Sequence, residues 1–332
     1  MKIFMINLIY WFVSSLQLIL MKIVTAKYFI DNIIFNSFFK IFGLPYYIYK
    51  LKKISYETSE IPSAKWYDIV VGGLDQLDIL LTYVAFSGLS IGAYVTFRTL
   101  SLFFVGVLSM SWYKKLLSME KLFSIGMILI ASGVILGKTS KLSMVYSLMC
   151  IISAMAYSLI SFIIEIFVKT DLDKKLNFYW SKIISCTISL FIGLTAEYAN
   201  NTISKILGNF TVSNQILIIG LELAITLLEN LYYYYKIKVI SQYKTNGSIV
   251  GQFLDIMRRF TLIICGITFF SESYDKIFLI PFTCMFVGSL IGMFDFKKFI
   301  ELKNRKNIPL QLQEIRIIEE DSISQDIEIT KK

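Results

Sequence analysis

Long apolar runs separated by short charged segments dominate the pattern along the chain. Ten such runs lie at residues 3–21, 30–49, 66–86, 89–112, 121–138, 142–164, 177–197, 213–235, 247–270 and 277–296. Most of them approach the ~20 residues that a helix needs to cross a bilayer. The second run is the least regular, because Lys40 and Pro45 interrupt it. The pattern predicts an all-α polytopic membrane protein with ten transmembrane helices.

The composition narrows the chemistry that such a protein can perform. Hydrophobic residues make up 56% of the 332 residues, and charged residues make up 17%. The chain has no histidine, which excludes histidine-based acid–base chemistry and histidine metal sites. The four cysteines lie far apart in apolar runs and form no CxxC pair. We therefore predict neither a metal site nor a cofactor.

The net charge of +9 is explained by membrane orientation rather than by binding of nucleic acid. Lysines and arginines fall mainly in the short loops between apolar runs, and such residues favour the cytosolic side. With a cytosolic N-terminus, fifteen loop lysines are cytosolic and six lie on the other side. Both termini are therefore predicted to be cytosolic. The loop at 198–212, which carries two glycosylation sequons, is predicted to face the opposite compartment.

Two segments of the chain resemble one another. The stretch FRTLSLFFVG at 97–106 aligns with MRRFTLIICG at 257–266, so that Arg98 falls on Arg258. Five runs in each half is an odd number, so the two halves insert with opposite topology. Inverted repeats are typical of transporters, in which the substrate binds near the membrane midplane where the repeats meet. The predicted divisions are a first five-helix repeat, a second five-helix repeat and a polar cytosolic tail, at 1–139, 140–296 and 297–332.

Charged residues inside the apolar runs are the candidate binding groups. An arginine in hydrocarbon costs at least ~2.5–3.5 kcal/mol on insertion scales, so it requires compensation. Arg98, Arg258 and Arg259 together match a polyanion, because guanidinium groups fit phosphate oxygens. Internal pairing is the alternative. Asp255 lies one helical turn before Arg258 and Arg259, whereas Asp75 or Asp78 is available to Arg98.

Other polar residues complete the candidate site. Tyr94 lies one turn before Arg98 and is predicted to line the cavity. Glu222 and Glu229 are seven residues apart, so they share one helix face directed into the bundle. The candidate substrate-binding residues are Arg98, Arg258, Arg259, Tyr94, Asp255, Asp78 and Glu229.

Three segments carry a resemblance to a known family. FRTLSLFFVGVLSMSWYKKL at 97–116 resembles the fourth span and the following loop of nucleotide-sugar transporters, in the drug/metabolite transporter superfamily. MRRFTLIICGITFFSES at 257–273 is similar to the ninth span of the branch that contains UDP-galactose-transporter-like proteins and PAPS transporters. KIVTAKY at 22–28 is similar to the end of its first span. Val95 stands where that branch usually has a second lysine.

The resemblance implies the drug/metabolite transporter fold and an antiporter rather than an enzyme. The expected activity is exchange of a UDP-sugar, such as UDP-galactose, for UMP across the endoplasmic reticulum or Golgi membrane. The family's phosphate-binding basic residues correspond to Arg98, Arg258 and Arg259. An ATP/ADP or PAPS exchanger, or an exporter of other small solutes, remains as an alternative. The expected partners are the nucleotide sugar, the nucleoside monophosphate and membrane lipids, and a homodimer stays open.

Overall fold

The computed structural model describes residues 2–28, 40–58, 63–138, 143–200, 208, 211–242, 247–269 and 276–293. All regular secondary structure in these ranges is helical. A 3₁₀ turn spans Lys40–Gly43. The α-helices are α1 Lys2–Tyr28, α2 Leu44–Thr58, α3 Trp66–Gly88, α4 Ile91–Tyr113, α5 Met119–Lys138, α6 Met144–Phe167, α7 Asp171–Asn200, α8 Val212–Ser241, α9 Gly247–Phe269 and α10 Lys276–Met293.

Helix length and apolarity agree with a multi-pass membrane protein. Among the described residues, five helices are long and apolar enough to cross a membrane, namely α4, α5, α6, α7 and α8. Shorter apolar segments lie within α1 and α10, at Met5–Met21 and Ile280–Met293. Helices α2, α3 and α9 are outside both groups, and α3 and α9 each carry three charged residues.

The second apolar run folds differently from the prediction. A continuous helix was expected over 30–49, but the chain makes the 3₁₀ turn at Lys40–Gly43 and only then enters α2. Pro45 lies in the first turn of α2, where a missing backbone N–H costs no helical hydrogen bond. Helix α2 continues past residue 49 to Thr58. Residues 30–39 lie outside the described part of the chain.

Helix α8 corrects the assignment of one lysine. The eighth run was expected to end at residue 235, which placed Lys236 in a cytosolic loop. Helix α8 instead extends to Ser241, and Lys236 is only 3% exposed. Without Lys236, fourteen of the fifteen loop lysines remain on the predicted cytosolic side, against six on the other side. The excess of lysines that predicts the orientation therefore remains.

The helices from α1 to α10 belong to one compact unit, Met1–Met293. Helix α3 packs against α6 and α7, helix α4 packs against α6, and helix α8 packs against α1. Helix α5 packs against α10, and α4 packs against α9. Side chains of α1, α3, α4, α5, α6, α8, α9 and α10 contribute to the largest apolar core. The polar tail predicted at 297–332 lies outside the described residues.

Glycine permits the closest approach between α3 and α7. A Cβ atom on Gly72 would lie 2.7 Å from the backbone oxygen of Ser181 and 2.9 Å from the side chain of Ile184. At the start of α3, Lys65 donates a 2.9 Å hydrogen bond to Asp173 of α7. This hydrogen bond raises the pKa of the Lys65 ammonium above its usual value. The two helices are thus held together both at their N-terminal ends and at Gly72.

Candidate functional site

A small polar cavity lies inside the helix bundle. Its volume is about 50 Å³, and residues of α1, α3, α4, α6, α7, α8 and α9 line it. The charged residues on its wall are Asp75, Asp78, Arg98, Lys182, Glu229, Lys236 and Arg258. Charged groups rarely lie inside membrane-spanning helices without a partner or a function. The cavity is therefore the candidate site for a charged ligand, whereas a larger cavity of about 520 Å³, lined mainly by α2, α7 and α8, has no charged side chain on its wall.

Arg98 is fixed on the cavity wall by Asp78. Its Nη2 atom donates a 3.2 Å hydrogen bond to one carboxylate oxygen of Asp78, and Nη1 donates to the other oxygen and to Ser153. Ser153 in turn donates to Asp78 at 2.5 Å. The Arg98 guanidinium also lies 4.8 Å from the centre of the Tyr157 ring. Of the two acids considered for Arg98, the structure selects Asp78, whereas Asp75 bonds elsewhere.

Asp75 and Glu229 belong to a cluster of four buried charges, which we call the ion cluster: Lys40, Asp75, Lys182 and Glu229. The Lys182 ammonium lies 2.9 Å from Asp75 and 3.2 Å from Glu229. The Lys40 ammonium lies 3.1 Å from the same Glu229 oxygen. Each of these four side chains therefore has a partner of opposite charge. Glu229, a predicted substrate-binding residue, is in this structure the shared partner of two lysines.

Asp255 and Arg258 form a second charged group on α9. Arg258 lies 3.4 Å from Asp255, one helical turn away, and its guanidinium lies 5.0 Å from the centre of the Tyr232 ring. Asp255 also accepts a 2.7 Å hydrogen bond from Tyr10 and another hydrogen bond from Tyr157. Asp255 is fully buried and is not on the cavity wall. The predicted internal pair between α9 residues is therefore Asp255 with Arg258.

Arg259 differs from the other two arginines. It is 1% exposed, and neither of its Nη atoms has a hydrogen-bond partner among the described residues. It lies within electrostatic range of Asp255, Arg98 and Arg258, but it is not on the cavity wall. Its charge thus raises the positive potential next to the cavity without being matched by a direct ion pair in the described structure.

Tyr94 lies where the sequence predicted it. The side chain is 2% exposed and lines the cavity one turn before Arg98. Of the seven predicted site residues, Arg98, Arg258, Tyr94, Asp78 and Glu229 share the cavity wall. Arg259 and Asp255 lie beside it. Glu222, which was expected to share an inward face with Glu229, is also fully buried.

Several residues of the site were not predicted from the sequence. Lys182 and Lys236 line the cavity, and Lys40 joins the ion cluster. Lys40 was expected to interrupt the second run and Lys236 to lie in a loop, whereas Lys182, inside the seventh run, was not singled out although a lysine within an apolar run is itself a signal. Tyr157 and Tyr232 also line the cavity and were not among the predicted site residues. Among the described residues, no group of three potential ligands is placed to hold a metal ion.

The size of the cavity limits what it holds in this conformation. A volume of about 50 Å³ accommodates roughly one or two water molecules. Pockets for ligands of nucleotide size typically measure ~300–1,000 Å³. A nucleotide-sized ligand therefore enters only after helices around the cavity move apart. No protein-family model and no curated protein matches this chain.

Proposed function

We propose that the protein is a nucleotide-sugar antiporter of the endoplasmic reticulum or Golgi membrane, which exchanges a UDP-sugar such as UDP-galactose for UMP. The observation that carries the proposal is an excess of cationic side chains on the wall of one buried cavity and next to it, since the wall itself carries four cations and three carboxylates. Arg98 and Arg258 each have a carboxylate partner, but Arg259 and Lys236 form no ion pair among the described residues. Phosphate groups supply the missing negative charge. A cationic substrate would add to the imbalance.

The pattern of helix packing supports an inverted five-helix repeat. In such a repeat, each of the helices α1–α5 corresponds to the helix five places later in α6–α10. The pair α3–α6 then corresponds to the pair α8–α1, and both pairs are in contact. The same correspondence relates α4–α6 to α9–α1 and α4–α5 to α9–α10. Three further pairs consist of two corresponding helices, and each of them is in contact: α5–α10, α4–α9 and α2–α7. Such pairing is what two similar halves related by a pseudo-two-fold axis produce.

Arg98 and Arg258 occupy comparable places in this scheme. They lie on α4 and α9, which pack against one another, and Ser101 of α4 donates a 2.6 Å hydrogen bond to Gln252 of α9. A substrate site at the contact of these two helices is therefore shared by both halves. This is the position at which transporters built from inverted repeats bind their substrates.

The internal ion pairs suggest why the protein exchanges substrates instead of leaking. Removing an unpaired charge from water is costly, so arginines facing a closing cavity need an anion. Asp78 and Asp255 partly supply that charge, and a bound nucleotide supplies the remainder. During transport, the binding site passes through a closed state before it opens to the other side of the membrane. A substrate bound from either side lowers the free energy of that closed state. With nucleotide on the far side, transport is expected to be much faster.

The test is counterflow in liposomes that contain the purified protein. Vesicles preloaded with UMP are expected to accumulate labelled UDP-galactose faster than vesicles without nucleotide. A panel of nucleotide sugars, nucleotides and PAPS identifies the base and the conjugated group. Exchange of ATP for ADP, or of PAPS, selects the alternative on the same scaffold. Uptake of amino acids or organic cations without any response to nucleotides contradicts the proposal.

A further inference from the structure

Lys236 is a buried cation that the proposed phosphate-binding arginines do not account for. It lies on α8, is 3% exposed and reaches the cavity wall. Its ammonium lies 3.5 Å from the centre of the Tyr157 ring. Within the described part of the chain, no carboxylate lies within ion-pair distance of it. Asp255, Asp78 and Asp75 lie within electrostatic range of Lys236, but none of them forms an ion pair with it, and the Tyr157 ring is its nearest charge-stabilising contact among these residues.

The other buried lysines provide the comparison. Lys40 and Lys182 are buried to a similar degree, but each lies 3.2 Å or less from a carboxylate oxygen. A buried ammonium that lacks a carboxylate retains much of its desolvation cost, which a cation–π contact offsets only in part. A neutral side chain at this position would avoid that cost. The arrangement therefore indicates that the charge serves a ligand rather than the stability of the bundle.

The position of Lys236 relative to Arg98 indicates which ligand group it binds. Both cations lie against the same aromatic ring, since the Arg98 guanidinium is 4.8 Å and the Lys236 ammonium 3.5 Å from the centre of Tyr157. Arg98 is on α4, whereas Lys236 is on α8. A diphosphate carries oxygens on two linked phosphorus atoms and can contact both cations. A single phosphate group spans less distance and contacts one of them more readily.

We infer that Lys236 forms a second phosphate subsite, so that the preferred ligand is a nucleoside diphosphate or its sugar conjugate. Arg98 binds one phosphate group and Lys236 binds the other, and the Tyr157 ring lies against both cations. This inference rests on the proposed function and adds a selectivity for two linked phosphates over one. It assigns a role to a lysine that the sequence places at the end of an apolar run.

The experiment measures binding of UMP and UDP to the purified full-length protein and to Lys236→Met. For the wild type, we expect UDP to bind at least about 10-fold more tightly than UMP, as one additional charge-assisted contact predicts. In Lys236→Met this ratio is expected to fall to about 2-fold or less, mainly through weaker UDP binding. Other nucleoside mono- and diphosphates are measured in the same way if the wild type prefers another base.

Lys238→Met is the matched control. Lys238 lies on the same helix, and its ammonium is 4.3 Å from the centre of the Tyr234 ring, but it is not on the cavity wall. This variant is expected to keep the wild-type ratio. Lys236→Arg, which retains the charge, is expected to keep most of the preference for UDP over UMP.

The outcomes separate the inference from the proposed function. If no nucleotide binds to the wild type, the proposed function fails and the inference fails with it. If the wild type binds nucleotides and Lys236→Met keeps the preference for UDP, the inference alone is wrong. A loss of preference in Lys238→Met of the same size also overturns it. Because the lysine has no carboxylate partner in the described structure, Lys236→Met is expected to unfold no earlier than the wild type without ligand. Failure of this variant to fold contradicts the inference by showing a structural role.

Discussion

Arg98 and Asp78 form a two-point contact between α4 and α3, in which both terminal nitrogens of the guanidinium donate to the carboxylate. The pair is buried, because the two side chains are 4% and 11% exposed. Two parallel hydrogen bonds fix the orientation of a guanidinium more firmly than one. Asp78 thus holds Arg98 in place at the cavity through its two terminal nitrogens, whereas the Nε atom of Arg98 has no hydrogen-bond partner among the described residues.

Replacing Arg98 separates its pairing role from its binding role. Arg98→Gln leaves Asp78 buried without its cation, and losing one partner of a buried pair typically costs about 3–5 kcal/mol. The double variant Arg98→Gln with Asp78→Asn removes both charges, so we expect it to recover most of that stability. Thermal unfolding in detergent measures the difference among the single variants, the double variant and the wild type.

Transport by the double variant then tests phosphate binding. If Arg98 binds substrate, the stable double variant remains nearly inactive in counterflow and loses its response to nucleotide on the far side. Arg98→Lys is expected to keep part of the activity, because the charge remains while the second donor is lost. A double variant with wild-type uptake shows that Arg98 serves only to join α3 and α4.

Arg258 and Arg259 are adjacent in sequence, but we expect their replacement to affect the stability of the protein differently. Arg258→Ala leaves Asp255 without the cation 3.4 Å away, whereas both Nη atoms of Arg259 lack partners in the described structure. Arg258→Ala is therefore expected to unfold at a lower temperature than the wild type. Arg259→Met, which fills most of the same buried volume, is expected to unfold no earlier, because it removes a buried charge that has no direct partner without opening a large cavity.

Both α9 variants are expected to lose nearly all exchange, since each charge-assisted contact to phosphate contributes about 1.5–3 kcal/mol. Counterflow is the measurement, normalised to the amount of folded protein in the vesicles. Normal exchange by both variants places phosphate binding elsewhere. A large loss of stability in Arg259→Met contradicts the assignment of this arginine to a ligand, because that variant keeps most of the buried volume.

Glu229 is expected to be important for stability even without substrate. Its Oε1 atom is the common partner of Lys40 and Lys182, at 3.1 and 3.2 Å. Glu229→Gln leaves two buried ammonium groups with a single carboxylate, Asp75, and is expected to cost about 3 kcal/mol. Denaturant or thermal unfolding of the ligand-free protein measures this.

Asp171→Asn is the control for Glu229→Gln. Asp171 pairs with Lys174 at 2.8 Å, but its side chain is 91% exposed. Exposed ion pairs contribute little, so no measurable change in stability is expected. If Glu229→Gln is as stable as the wild type, the ion cluster does not hold its helices together and Glu229 is left with a ligand-binding role.

Gly72 is expected to set the distance between α3 and α7. A methyl group at this position would lie 2.7 Å from a backbone oxygen of α7, which cannot move away as a flexible side chain does. Gly72→Ala is therefore expected to lose about 1–3 kcal/mol of stability through overpacking. Gly73→Ala is the matched control, since nothing lies within 4 Å of the added Cβ. Equal stability of the two variants would show that the helices separate there without cost.

The orientation in the membrane is testable at the loop predicted over 198–212. In a cysteine-free background, Asn209→Cys is expected to react only with reagents that reach the lumen. The physical reason is the excess of lysines on the side that also holds the termini. Cysteines placed near residue 115 serve as the cytosolic control. Reaction of the Asn209→Cys variant from the cytosol shows the opposite topology.

The sequence by itself determined the helical class and the positions of most helices. Apolar runs and their charged boundaries are local properties of the chain, so the helices corresponding to runs such as 89–112 and 142–164 begin and end within a few residues of the prediction. The same local signal identified Arg98, Arg258 and Arg259 as charges inside apolar runs. It does not extend to the second run, where a turn at Lys40–Gly43 interrupts the helix.

Only the tertiary structure decided which charge meets which. Arg98 contacts Asp78 rather than Asp75, because the packing of α3 against α6 and α7 directs Asp75 toward Lys182 instead. Lys182 and Lys236 are part of the cavity wall because, in the folded bundle, α7 and α8 are oriented with these side chains toward the cavity. Such contacts depend on the rotation and spacing of helices far apart in sequence, so no local pattern of apolar and polar residues specifies them.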